Sequence, residues 1–306
     1  MTKFYAYADE NTDDLPLFVF DKYFSQRAPS LLQDYEVPSV FQGRDLFDLL
    51  GDSRPDNRWL LIGNKRSGSK WHIDPNKTSA WNAVVKGRKR WILLPPGCPP
   101  PGVFPSRDGG DVTQPANLIE WFSTFYGELR KMADGNKSWD IKEGTCGPGD
   151  TVFVPCGWWH CVLNLEDDTV AVTQNYVPEA QVHSVRRFLR EKIEHVSGVP
   201  GYERKANLGR LFDAALERSR PDLLAKGVEQ QLLTSPADQN DVLPANTGID
   251  ATAPSNVSAQ TRNESFSFWG HLRSTGRSLA FDASTGRLET EGKLELLMQD
   301  DEYLVP

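Results

Sequence analysis

The 306-residue chain is sparing with the residues from which metal sites and disulfide frameworks are usually built. It has five histidines and four cysteines. Cys98, Cys146, Cys156 and Cys161 contain no CxxC pair, and their spacing fits no zinc-finger framework. In a reducing compartment they are expected to be free thiols. Cys156 and Cys161 flank a GWWH segment and admit a metal-ligand reading, but free cysteine is most often a small buried apolar residue. No apolar run is long enough to span a bilayer, so no membrane partner is expected. The opening residues, MTKFYAYADENTDDLP, are polar and acidic, unlike a secretory signal. The expectation is a nuclear or cytoplasmic protein. A basic surplus is missing too: 34 Lys and Arg stand against 42 Asp and Glu, a net charge of −8. Such a chain is a poor general binder of nucleic acid. It suits a basic protein or peptide partner instead. Two local basic runs, Lys86, Arg88, Lys89 and Arg90, then Arg186, Arg187, Arg190 and Lys192, read as solvated faces for most of their members.

What is present is strand pattern. Over residues 1–58 short extended pieces alternate with loops; LPLFVFD (15–21) reads as a strand and DLFDLLG (45–51) as a short helix ended by Gly51. From 59 to 94 WLLIGN, KWHID, SAWNAVV and KRWILLPP read as successive strands, with GRK between the last two as a hairpin signal. Residues 96–113 are rich in Pro and Gly and form a loop. NLIEWFSTFYGELRKM (117–132) has apolar residues at helical spacing and a basic end. Residues 140–177 return to strands. Two blocks of short strands separated by a helix suggest a mainly β, double-sheet antiparallel barrel with the blocks as facing walls.

After Gln181 the chain turns helical. HSVRRFLREKIEHV (183–196) and ANLGRLFDAALERSR (206–220) are amphipathic, and PDLLAKGVEQQLL (221–233) is a further candidate with Pro221 in its first turn. These helices either cover the barrel or pair two chains as a homodimer. Composition marks 235–265 as a disordered linker and 266–306 as a tail with at most a weak hairpin. The expected organisation is a barrel domain over 1–200, helices over 201–234, then linker and tail.

In KWHID, His72 stands two residues before Asp74, and in a strand such residues share a face. Alone, the pair reads best as a histidine held by a carboxylate. His160, which opens the strand HCVLNL after an aromatic turn, changes that balance. If the two blocks face each other, His72, Asp74 and His160 converge inside the barrel. Two imidazoles and one carboxylate with open positions suit a non-haem Fe(II) oxygenase. Zinc is the chemical competitor. Such an oxygenase needs a cosubstrate like 2-oxoglutarate, whose distal carboxylate needs a cation. Lys89 can supply it. Thr173 and Asn175 share a strand face, Asn164 shares the face of His160, and Asn82 lies on SAWNAVV. Each alone reads at least as well as a barrel-corner hydrogen bond. Their convergence on one cavity favours use.

KRSGSKWHIDPNKTSAWNAVVKGRKRW, taken with GDTVFVPCGWWHCVLNLEDDTVAVTQNYV, resembles the JmjC-domain oxygenases, in the branch of bifunctional arginine demethylases and lysyl hydroxylases. The similarity runs from KFYAYADENTDDLPLFVFD to about residue 200. The resemblance implies a double-stranded β-helix, a cupin-like jelly roll. It implies Fe(II) at His72, Asp74 and His160, and 2-oxoglutarate held by Lys89 and a hydroxyl, here Ser69, with Asn82, Thr173 and Asn175 in the same pocket. It implies O2-dependent conversion of 2-oxoglutarate to succinate, coupled to hydroxylation of lysyl side chains or demethylation of methylated Arg or Lys in basic proteins such as histones or splicing factors. It favours the nucleus. Two departures stand out. Phe18 occupies a position where the relatives carry a tyrosine that reaches the cosubstrate. A lost hydrogen bond to a charged group is worth about 1.5–3 kcal/mol, so weaker 2-oxoglutarate binding is expected, with Ser69 able to compensate. The chain also starts inside the family's pattern, so an open sheet edge is expected to need cover. The competing expectation is a catalytically weak barrel that serves as a protein-binding module.

Overall fold

Two antiparallel sheets organise the chain in its computed structural model, which describes residues 2–135, 139–224, 280–282 and 287–289. In chain order the strands are β1 (Phe18–Asp21), β2 (Arg58–Gly63), β3 (Gly68–His72), β4 (Ser79–Lys86) and β5 (Lys89–Leu94). A small hairpin, β6 (Phe104–Pro105) with β7 (Val112–Thr113), follows. Then come β8 (Lys142–Cys146), β9 (Thr151–Val154), β10 (Trp159–Asn164) and β11 (Thr169–Tyr176). The larger sheet has the order β1-β2-β11-β4-β9 and the smaller one β3-β10-β5-β8. This is a double-stranded β-helix, or jelly roll.

The two sequence blocks are not facing walls. From β2 to β5, and again from β8 to β11, every connection crosses from one sheet to the other, so each sheet interleaves strands of both blocks. The GRK segment is accordingly not a hairpin. β4 pairs with β11 and β9, while β5 pairs with β10 and β8. Gly87 (φ 75°) makes this corner, and a Cβ there would stand 2.4 Å from Thr169 Oγ1. The local signal was a tight glycine turn; burial of both strands on different sheets decided its use.

Alternation along the strands sorts the core. Ala80, Val84, Trp91, Leu93, Cys146, Val152, Val154 and Val162 fill the space between the sheets. The opposite face of the smaller sheet presents Trp71, Ile92, Leu94, Trp159, Cys161 and Leu163 to α3 (Leu118–Gly135) through Trp121 and Leu129. Arg90 is buried here as well. Its guanidinium lies 4.5 Å from the Phe122 ring centre, 5.0 Å from that of Tyr126 and 3.7 Å from Glu143. A solvated face therefore describes Lys86 and Arg88 but not Lys89 or Arg90, both 3% exposed. Phe41 covers the outer face of the larger sheet against Trp81, Val172 and Tyr176.

Residues 2–10 depart from the loop-and-strand expectation. They form α1 (Thr2–Glu10), held by contacts no local pattern reveals: Asn64 Nδ2 donates to Ala8 O (3.1 Å), and the Leu17 N–H donates to Tyr7 Oη (3.0 Å). A short α2 (Phe24–Arg27) follows β1. The helix expected over 45–51 is a 3-10 segment, Leu46–Ser53, interrupted at Gly51 (φ 52°). It packs with α4 (Val182–Glu191) and α5 (Tyr202–Ser219): Val182, Val185 and Leu189 meet Leu208, Phe212 and Leu216 over Leu46 and Phe47. Asp45 ties this layer to the barrel by accepting the N–H groups of Phe47 and Val177, each at 3.0 Å. The chain continues helical over 221–224; the rest of that expected helix and the linker lie outside the described residues. Ala280–Asp282 pairs antiparallel with Arg287–Glu289, where a hairpin was expected. Among the described residues no helix is long and apolar enough to cross a membrane. Phe212 is fully buried. Phe212→Ala is expected to destabilise the chain by about 3–5 kcal/mol, read from urea unfolding; a loss below about 1 kcal/mol would detach α5 from the cooperative core.

Candidate metal centre and the buried cation behind it

Interleaving puts β3 beside β10, and their register sets His160 directly opposite His72. The two imidazoles thus come from adjacent strands of one sheet, with ring centres 4.1 Å apart. Each ring Nδ1 lies close to the carbonyl oxygen two residues back: Lys70 O at 2.7 Å and Trp158 O at 3.1 Å. A carbonyl only accepts, so Nδ1 carries the proton and Nε2 keeps its lone pair. Both Nε2 atoms stand 3.9 Å from Asp74 Oδ1, too far for hydrogen bonds. The three ligand atoms lie within 4.8 Å of one another. Asp74 Oδ2 is buried without a hydrogen-bond partner among the described residues. Burial raises the Asp74 carboxyl above its usual range, against the pull of His72 and Asn175. Burial also pushes the His160 imidazole well below its usual range, helped by His72. Two imidazole Nε2 atoms gathered around one carboxylate, with an oxygen of that carboxylate orphaned, fit a divalent cation. Without one, Asp74 Oδ2 is a buried acceptor with no donor among the described residues.

On β10, His160, Val162 and Asn164 share the inward face, and Asn164 sits in register with Lys89 on β5. Four residues of strand separate Asn164 from His160, roughly 13 Å. Lys89 is buried, and Nζ donates to Asn164 Oδ1 at 3.0 Å. No carboxylate pairs with it among the described residues. Burial lowers its pKa to about 8, although the nearby Cys146 works the other way. Asn164 Nδ2 donates in turn to Ser67 Oγ (2.9 Å), and Ser67 Oγ to Asn64 O (2.6 Å). The result is an oriented ammonium, its one hydrogen bond among the described residues made to Asn164, on the same inward faces that carry His160 further along β10.

The other polar positions are carried by the larger sheet and by β3. Asn82 and Thr173 are direct partners across β4 and β11. Thr173 Oγ1 donates to Trp81 O (2.8 Å), and Asn82 Oδ1 is buried without a partner among the described residues. Asn175 donates to Thr78 Oγ1 (2.9 Å) in the connection that follows Asp74. Ser69 is half-buried opposite Val162, across a bulge in the β3–β10 ladder. The hydroxyl in the Lys89 chain belongs to Ser67, which sequence reasoning passed over. Arg66 (φ 73°) and Gly68 (φ 145°) set its direction, and a period-of-two reading of KRSGS does not show such angles. Phe18 borders the same end: a Cβ on Gly63 would stand 2.9 Å from Phe18 Cβ and 2.8 Å from Asn164 Nδ2. Cys161 faces the α3 side of its strand, and Cys156 is outside the ligand group; both are free thiols.

Known proteins share this arrangement's sequence. Residues 59–176 match the family model described as JmjC domain, hydroxylase. The arginine-specific demethylase JMJ22 of Arabidopsis thaliana is 44% identical over 225 residues, covering 72% of this chain and 42% of that protein. The bifunctional arginine demethylase and lysyl-hydroxylase psr-1 of Caenorhabditis elegans is 42% identical over 189 residues, 60% of this chain and 46% of that protein. The human 2-oxoglutarate and iron-dependent oxygenase JMJD4 is 33% identical over 187 residues, 56% of this chain and 42% of that protein. The chain thus spans less than half the length of these relatives. Strands β3 to β11, with His72, Asp74 and His160 at one end and Lys89 at the other, lie within the matched segment: residues 59–176 are a JmjC domain of the hydroxylase family.

Proposed function

We propose that this chain is an Fe(II)- and 2-oxoglutarate-dependent protein oxygenase that hydroxylates lysyl side chains or demethylates methylated Arg or Lys in basic proteins, such as histones or splicing factors. The observation that carries the reading is the buried Lys89 ammonium, unpaired with any carboxylate among the described residues and sharing one interior with the three ligand side chains. In this reading His72, Asp74 and His160 hold the iron. Lys89, oriented by Asn164 and Ser67, holds the distal carboxylate of 2-oxoglutarate. Asn82, Thr173, Asn175 and Ser69 line the space between. When bound, Fe(II) and 2-oxoglutarate supply an O2-dependent oxidation: 2-oxoglutarate becomes succinate and CO2, and one oxygen atom enters a substrate C–H bond. On an N-methyl group the hydroxymethyl product releases formaldehyde and leaves N–H. The chain's own contribution is to fix the ligand tautomers, exclude water along the apolar walls and keep one cation unpaired for the cosubstrate.

A basic substrate fits the net charge of −8 and the names of the relatives. A nucleic-acid substrate has less support, since the basic residues Arg90 and Arg186 are tied up with Glu143 and Asp213. A homodimer through α4 and α5 also has less, because their apolar faces are occupied within the chain. A non-catalytic binding module is the second reading, favoured by Phe18, whose ring offers the inner end of the cavity no hydrogen bond. The orphaned Asp74 and Asn82 oxygens weigh against it, because an unused site has no reason to keep such groups.

The Lys89 environment predicts a pH dependence. Its folded pKa of about 8 lies below the ordinary 10.5. Between those values the unfolded chain binds more protons, so the ligand-free protein should gain stability as pH rises through that window. Affinity for 2-oxoglutarate should move oppositely, its dissociation constant climbing as pH passes 8. Lys89→Met should bind weakly with no such slope, and a flat profile in the unsubstituted chain would place the carboxylate elsewhere. For the activity itself, we expect succinate formation with Fe(II) and ascorbate to be stimulated by a Lys- and Arg-rich peptide pool and lost in His160→Ala. The peptide mass then distinguishes gain of oxygen from loss of methyl. Folded, iron-loaded protein that makes no succinate would favour the binding module.

A further inference from the structure

We infer that Gln114 and Asn76 are positioning residues that set the bite of the HxD ligand pair, and that the segment joining α4 to α5 is thereby part of the metal centre. The inference rests on the reading of His72, Asp74 and His160 as metal ligands. The structural problem is plain. β3 is the edge strand of the smaller sheet, so one side of its backbone has no strand to pair with. After His72 the chain leaves the sheet, and Asp74 has no ladder at all. Yet both ligands must be held to within about 0.5 Å for a site to work.

Two side-chain amides solve this, one on each side of the motif. Gln114, just past β7, lies along the open edge of β3. Its Oε1 accepts the Trp71 N–H at 2.9 Å, and its Nε2 donates to Trp71 O at 2.8 Å. The amide thus replaces one residue of a missing strand, next to His72. Asn76 makes the same two-bond ring on the other side. Its Oδ1 accepts the Ser197 N–H and its Nδ2 donates to Ser197 O, both at 2.9 Å. Asn76 is 4% exposed, so these bonds are shielded from water. Asn76 (φ 57°) and Lys77 (φ 55°) are consecutive left-handed residues. Such a backbone persists only where its surroundings hold it, and the Ser197 ring is what holds it here. Thr78 continues the chain of support: its Oγ1 donates to Pro75 O (2.8 Å) and accepts from Asn175 Nδ2 (2.9 Å). Asp74 therefore sits between a clamped strand edge and a loop pinned to the helical layer.

The test uses the full chain and Co(II), whose affinity and visible absorption report ligand geometry without turnover. Asn76→Gly keeps the left-handed backbone but removes the amide. Gln114→Met keeps the bulk but removes both hydrogen bonds. Each is expected to weaken Co(II) binding by about tenfold, as loss of outer-shell support does at other metal sites, and to shift the absorption bands. Asn76→Asp, which keeps the acceptor but sets a carboxylate against Ser197 O, should do the same and stands in should the glycine variant not fold. Phe41→Leu, on the outer face of the larger sheet in a core cluster that holds neither Trp71 nor Ser197, should lower the unfolding temperature while leaving affinity and spectrum unchanged. Unaltered affinity and spectrum in the Asn76 and Gln114 variants would overturn the inference and leave the metal centre standing. Failure of the unsubstituted chain to bind Co(II) would overturn the metal reading, and this inference with it.

Discussion

Two groups that lack a full set of partners share one interior. At one end a carboxylate oxygen of Asp74 has no hydrogen bond among the described residues; at the other the Lys89 ammonium has no carboxylate. Neither is tolerable in an ordinary core, where burying a lone charge costs several kcal/mol. Both become sensible if a cation completes the first and an anion the second. A divalent metal and a small dianion that reaches from one to the other meet that need together. The rest of the structure serves this separation of opposite charges, with apolar side chains such as Val162, Trp91 and Val84 between them.

The interleaved jelly roll is what makes the arrangement possible. His72 and His160 are 88 positions apart in the sequence, yet they are direct partners across one ladder. The same ladder carries Asn164, and the next strand carries Lys89 in register with it. One three-strand ribbon, β3-β10-β5, therefore fixes both ends of the cavity. The larger sheet adds Asn82, Thr173 and Asn175 from the opposite wall. The metal end is the less secure one, because β3 is an edge and Asp74 lies beyond it. The amides of Gln114 and Asn76, and through Ser197 the helical layer, supply what the sheet does not.

Much of this was legible in the residues. His72 and His160 stand in strands whose alternation is plain, and Lys89 and Asn164 follow from the same period of two; Asp74, expected two places along the strand of His72, lies just past its end instead. The fold class follows from short strands in two blocks. Other features were hidden because they depend on contacts distant in sequence. Glycine at position 87 marks a turn, but whether it joins paired strands or turns a barrel corner depends on where β10 and β11 lie. Arg90 looks like one more exposed base until Glu143, Phe122 and Tyr126 arrive from other segments. Ser67 and Ser69 differ locally only in backbone angles. The partners of Asn76 and Gln114 lie 121 and 43 residues away, beyond any local pattern.

The most direct measurement is iron-edge anomalous diffraction from crystals of the chain soaked in Fe(II) and 2-oxoglutarate without oxygen. The account predicts one strong anomalous peak bonded to Nε2 of His72, Nε2 of His160 and a carboxylate oxygen of Asp74, with density for the cosubstrate running inward to Nζ of Lys89. A peak elsewhere, or an iron at this site with the cosubstrate turned away from Lys89, would contradict it.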